Sequence, residues 1–147
     1  MDNPLRQQVV REARSWIGTP YEHCADIKGV GVDCGMLIVR VFNDLGIHTV
    51  PDPRPYTPDW HMHRVEENYL MRVLAHGKVV ETPQIGDVML FKVGRCYSHG
   101  GIVSKLDPLT IIHASYPSRI TLEEEISRSP DFMDRLESAK FLSPFGD

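Results

Sequence analysis

Near the N-terminus, apolar residues recur at Leu5, Val9, Ala13 and Trp16, with Val10 and Ile17 beside them. That spacing predicts a helix from Pro4 to Ile17 with one apolar face. Asn3 supplies a cap, Pro4 suits the first turn, and Gly18 with Pro20 ends the element. A second helical period starts at about Cys34 and runs through Leu37, Ile38, Val41, Phe42 and Leu45 to Gly46. Its apolar stripe is wide, which predicts a helix inside the core. Pro51, Pro53, Pro55 and Pro58 are too dense for regular structure and predict an extended surface connection. Trp60 to Ala75 returns to helical spacing and closes at Gly77.

After Pro83-Gln84-Ile85-Gly86 the pattern changes to short β-like runs: Asp87 to Val93, His99 to Leu106, Leu109 to Ala114, Arg119 to Leu122 and Glu137 to Leu142. Helices first and strands afterwards predict an α+β domain, with the N-terminal helices packed on a central antiparallel sheet, and argue against a doubly wound parallel fold. Asp107-Pro108 reads as a hairpin turn. Symmetric pairing about it sets Ile102 opposite His113 and His99 opposite Tyr116, so His113 reaches His99 only if the register shifts or the strands twist.

The length, 147 residues at 41% hydrophobic content, fits one domain with one core, so residues 1–147 are expected to form a single unit. The formal charge of -4 arises from scattered charges, and nothing in it calls for nucleic acid or an anionic membrane as partner. No stretch approaches the ~20 apolar residues of a membrane span, and Met1-Asp2-Asn3-Pro4 lacks the order of a signal peptide, so synthesis in the cytoplasm is expected. Three cysteines, Cys24, Cys34 and Cys96, without a close pair argue against a disulfide framework and leave at least one free thiol.

Most free cysteines are small buried hydrophobes, and Cys34 stands out by its place. Asp33-Cys34 lies where a glycine-containing loop meets the core helix, so the thiol faces the positive end of that helix, which favours thiolate. Ser98-His99-Gly100-Gly101-Ile102-Val103 opens a strand with a histidine followed by two residues that let another segment approach. His113 ends the next strand inside the apolar run Ile111-Ile112 and Ala114. Cys34, His99 and His113 thereby supply candidates for nucleophile, general base and orienter of a covalent acyl transfer.

The blocks Trp16-Ile-Gly-Thr-Pro-Tyr21, Val32-Asp-Cys-Gly-Met-Leu-Ile38, Gly86-Asp-Val-Met-Leu-Phe91, Ser98-His-Gly-Gly-Ile-Val103 and Ile112-His-Ala114 resemble, in the same order, those of NlpC-like papain-fold cysteine peptidases. The phrasing from residues 18 to 63 is similar to short proteins of this kind from phage-tail and gene-transfer-agent clusters. The resemblance implies a papain-like fold in which Cys34 attacks the peptide carbonyl, His99 moves the proton and His113 fixes the imidazole. It further implies that Tyr21 helps hold the oxyanion or substrate, and that Asp33 caps the helix. The implied substrate is peptidoglycan stem peptide, typically at the bond between γ-linked D-glutamate and a diamino acid. The implied setting is a phage-like tail, with other tail proteins as partners and delivery to the cell wall. Gly35 stands where the family usually has serine, and Gly100 where valine is more usual.

Zinc binding by His23, Cys24, Cys34, Cys96 and His99 competes with this reading, but the spacings fit no common ligand pattern, and neither a metal nor another cofactor is expected. His48, His61, His63 and His76 read with His23 as surface or helix-face residues, and Cys96 as incidental. An amidase or acyltransferase on the same fold, or an idle structural component of a tail, are the other competing readings.

Overall fold

The computed structural model describes residues 3–47, 77–93 and 96–145. The expected proline-rich connection, the helix expected from Trp60 to Ala75 and His48, His61, His63 and His76 lie outside the described residues, as does the side chain of Cys96.

Helix α1 spans Pro4–Arg14, shorter than the expected element, and the chain turns through Ser15 to Gly18. Asn3 Oδ1 accepts the Leu5 N–H at 3.0 Å, satisfying one of the orphan donors of the first turn. Val9, Val10, Ala13 and, beyond the helix, Trp16 are buried. Strands β1 (Asp26–Ile27) and β2 (Gly31–Val32) form a small hairpin too short to show an alternating pattern in sequence. Helix α2 spans Cys34–Asp44, starting where the sequence predicts, and Gly46 at φ 72 turns the chain away. Cys34 to Val39, Val41 and Phe42 are buried, so the helix lies inside the core.

The remaining strands are β3 (Lys78–Val80), β4 (Val88–Val93), β5 (Cys96–Leu106), β6 (Leu109–Ser115), β7 (Ile120–Glu125) and β8 (Lys140–Ser143). They form one antiparallel sheet in the order β3-β8-β4-β5-β6-β7. The architecture is α+β. A short helix α3 (Pro130–Arg135), capped by Ser129, follows β7 and was not visible as a pattern in the sequence.

The sheet has two covered faces. Val88, Leu90, Ile102, Ile112, Ala114 and Leu142 pack with α1 and α2. Met89, Phe91, Val103 and Ile111 pack on the other side with Ile126, which follows β7, and with Phe132 of α3. Burying a side chain of this size contributes ~1.5–3 kcal/mol, so both layers hold the sheet.

The symmetric β5–β6 register holds only beside the turn. Leu106 faces Leu109 and Lys105 faces Thr110, but Ser104 is then bulged out, so Val103 faces Ile111 and Ile102 faces Ile112. A shift of one residue exchanges the faces of a strand. In the symmetric register His113 would sit beside Ile102 on the helix-covered face; the bulge instead places it on the face of Phe91, Val103 and Ile111. A second irregularity in β5 lies immediately before His99, between the pairs Phe91–His99 and Lys92–Tyr97. His99 is thus on the same face as Phe91, and the two histidines share a side of the sheet.

A buried ion pair fixes α1 to the sheet. Arg6 donates to Asp87 Oδ1 at 2.6 Å, to the Ile85 carbonyl at 3.0 Å and to Ser143 Oγ at 3.2 Å, with its guanidinium 4.4 Å from the Phe145 ring centre. Asp87 Oδ2 accepts the Gln84 N–H at 2.8 Å. Every strong group in this cluster has a partner, as burial demands.

Candidate active site

Cys34 is the first residue of α2, and Asp33 is the residue that holds that helix end. The buried Asp33 carboxylate accepts the Met36 N–H at 2.9 Å through Oδ1 and the Cys24 N–H at 2.7 Å through Oδ2. It therefore caps α2 and fastens the preceding loop at once. His23 Nδ1, the Cys24 sulfur and an Asp33 oxygen lie within 4.8 Å of one another. Among the described residues proposed for a zinc cluster from sequence, His23 and Cys24 alone meet in this group.

The N–H groups of Cys34, Gly35 and Gly100 are directed at the Cys34 sulfur. Gly100 directly follows His99, so this contact ties the nucleophile candidate to the strand of the base candidate. The close approach is possible because Gly100 has no side chain: a Cβ there would lie 3.1 Å from both Ile38 Cδ1 and Leu90 Cδ2. The place that valine would fill is occupied by α2.

His99 Nε2 lies 3.0 Å from His113 Nδ1, with the ring planes nearly perpendicular. Phe132 roofs the pair, stacked on His99 at 6.1 Å and edge-on to His113 at 5.0 Å between ring centres, while Phe91 flanks His99 at 6.2 Å. His113 is buried and His99 keeps an exposed edge. Tyr21 lies near the nucleophile, among Cys34, Asp33, Tyr116 and Cys24, with its ring edge-on to Tyr116 at 5.5 Å. The structure thus gathers Cys34, His99, His113, Tyr21 and Asp33. Phe132 escaped sequence reasoning because a lone aromatic in a six-residue helix gives no periodic signal.

Gly101 sets the spacing between the histidine strands. A Cβ there would meet Ile111 Cδ1 at 2.8 Å, the Ile112 carbonyl at 3.0 Å and His113 Cβ at 3.1 Å. Gly101→Val is expected to displace His113, lowering stability by ~1–3 kcal/mol and turnover by about 100-fold, as misplacement near the chemistry does. Unfolding curves and initial rates check this; unchanged rates would show that the His113 position is not needed.

The electrostatics overturn one expectation. Burial, and then the Asp33 carboxylate, push the Cys34 thiol up to about 12, against the lowering effect of its three N–H neighbours. The helix end was readable in sequence, but the burial was not. Burial, then His113 and the Arg135 guanidinium, push the His99 imidazole down to about 3. The resting pair is therefore a neutral thiol and a neutral imidazole, not a thiolate and an imidazolium. The Tyr21 phenol is pushed up, first by burial and then by Cys34 and Asp33, so it remains a donor. Alkylation of Cys34 by iodoacetamide should accelerate about tenfold for each pH unit from 7 to 9, because the thiolate fraction rises throughout that interval. A plateau below pH 8, read by mass spectrometry of the Cys34 peptide, would contradict the neutral pair.

The sequence of residues 18–132 matches the model of the NlpC/P60 family. The chain belongs to the NlpC/P60 family. Its papain-like α+β fold is shared with the NlpC/p60 domain of the peptidoglycan hydrolase SagA, at 19% identity and a TM-score of 0.62, covering 93% of this chain and 96% of that one. NlpC2 from Trichomonas vaginalis is similar at 17% identity and a TM-score of 0.64, over 88% of this chain and 44% of that one. A lipoprotein-like NLP/P60 protein from Staphylococcus aureus is similar at 20% identity and a TM-score of 0.63, over 95% and 42%. The chain spans less than half the length of the latter two. No curated protein is similar enough in sequence to count as a match.

Proposed function

We propose that this chain is a cysteine endopeptidase of bacterial peptidoglycan, acting on the stem-peptide bond between γ-linked D-glutamate and a diamino acid. The observation that carries the reading is the joined pair His99–His113, 3.0 Å apart, with His99 on the strand whose Gly100 N–H reaches the Cys34 sulfur. Membership of the NlpC/P60 family supports the reaction class, and one neighbour of the same fold is a peptidoglycan hydrolase.

Because His113 occupies Nε2 of His99, Nδ1 is the nitrogen left to take a proton. Cys34 attacks the scissile carbonyl carbon as its S–H proton passes to His99, so that sulfur–carbon bond formation and proton transfer are coupled. The Cys34 N–H and the Tyr21 hydroxyl serve as donors to the developing oxyanion. Collapse of the tetrahedral intermediate breaks the C–N bond, and the amine leaves with the proton from His99. Water, deprotonated by His99, then hydrolyses the thioester and returns the thiol. We place this activity in a single domain carried to the wall by a phage-like tail, where other tail proteins would be its neighbours.

Digestion of purified peptidoglycan tests the bond. New amino groups on the diamino acid, identified by mass spectrometry, are expected. Cleavage of the amide between sugar and peptide would sink the endopeptidase assignment in favour of an amidase.

A further inference from the structure

Residues Glu123-Glu124-Glu125 look in sequence like a solvated charge run, but the fold separates them. Glu123 pairs with Arg14 at 3.1 Å and Glu125 with Arg128 at 3.4 Å. Glu124, whose side chain alternates to the opposite face of β7, approaches His113 instead: its Oε1 lies 2.9 Å from His113 Nε2. The register accounts for this. His113 faces Leu122 and Ile111 faces Glu124, so Glu124 and His113 are diagonal neighbours on one side of the sheet. The His113 side chain is 3% exposed and that of Glu124 31%, so the carboxylate closes the buried row of imidazoles at its wet end.

We propose that Glu124 is a positioning residue that fixes the tautomers of both histidines and so keeps His99 Nδ1 free to accept the Cys34 proton. The inference rests on the reading of His99 as the general base. A carboxylate can only accept a hydrogen bond, so the proton of neutral His113 sits on Nε2. Its Nδ1 is then an acceptor, and the 3.0 Å contact requires His99 Nε2 to donate. One proton remains for each neutral ring, and His99 has spent its own at Nε2; Nδ1 carries the lone pair. Without Glu124 nothing selects between the two forms of His113. In its Nδ1–H form it would face His99 Nε2 as a donor, so His99 would have to accept there and place its proton on Nδ1. A base already protonated at the working nitrogen cannot take the thiol proton. Glu124 thus acts through two rings on an atom it does not touch.

The test uses the full chain labelled with nitrogen-15 in histidine. At pH 7, two-bond proton–nitrogen spectra of the wild type should show both His99 and His113 protonated at Nε2. Glu124→Leu should raise the Nδ1–H form of both rings and lower kcat on wall peptide by about 10–100-fold, the range for loss of an orienting partner, with KM changed by less than about threefold. Glu124→Gln, whose amide oxygen still accepts, should keep the wild-type tautomers and retain kcat within about tenfold. Wild-type tautomers in Glu124→Leu would overturn the proposal, as would a Glu124→Gln enzyme as slow as Glu124→Leu with its tautomers unchanged. The spectra need no substrate, so they read the tautomers whether or not stem peptide is cleaved; lack of cleavage by the wild type would count against the proposed function instead.

Discussion

Cys34→Ala and His99→Ala are each expected to lower hydrolysis of wall peptide by about 1,000-fold or more, since nucleophile and base act as one unit and neither substitute can do half the work. The fold should survive both changes. Alanine at position 34 keeps a small apolar group at the start of α2, and the Asp33 cap that sets this helix end is untouched. His113→Ala should be milder, about 10–100-fold, because it removes the orientation of His99 and not the base itself. Rates on purified peptidoglycan, with circular dichroism and unfolding midpoints as controls, decide the matter. Near-normal activity in either of the first two variants would overturn the mechanism.

The largest effect on stability is expected far from the chemistry. Arg6→Ala or Asp87→Ala should each cost about 3–5 kcal/mol, because removing one partner leaves the other charge buried without compensation. Both side chains are almost inaccessible, at 4% and 2%. The rest of the Arg6 cage, the Ile85 carbonyl and Ser143 hydroxyl, cannot neutralise it. The double variant Arg6→Met with Asp87→Leu should lose less than the two single losses added together, since the pair is coupled. Urea unfolding measures all three, and a loss below ~1 kcal/mol in both alanine variants would refute the role assigned to the pair.

Much of the frame could be read from local rules. Asn3 and Asp33 announce helix starts because their short side chains can accept from the first turn, and α2 does begin at Cys34. The apolar runs in the second half mark β4, β5 and β6 with small errors at their ends. What escaped depends on distant partners. β8 lies between β3 and β4, and neither three-residue β3 nor the place of β8 carries a sequence signal of its own. The Ser104 bulge is invisible because one polar residue within a strand does not say which register its neighbours adopt, and the side of the sheet that His113 occupies turns on it. The charge state of Cys34 was misjudged for a related reason: a helix end is local, whereas the burial that outweighs it comes from the whole assembly of α2 on the sheet. Glu124 was hidden among acidic neighbours until strand pairing gave each one a separate partner.

Ser104 gives this chain an unusual genetic tolerance. Loss of that single codon would join Val103 to Lys105 and leave the hairpin pairs as they stand, Lys105 with Thr110, Val103 with Ile111 and Ile102 with Ile112, so His113 would keep its face of the sheet. Divergence could thus change the number of residues between the two histidines without separating them. The face of the sheet that each histidine occupies, and not the count of codons between them, is therefore what bears on activity in its relatives.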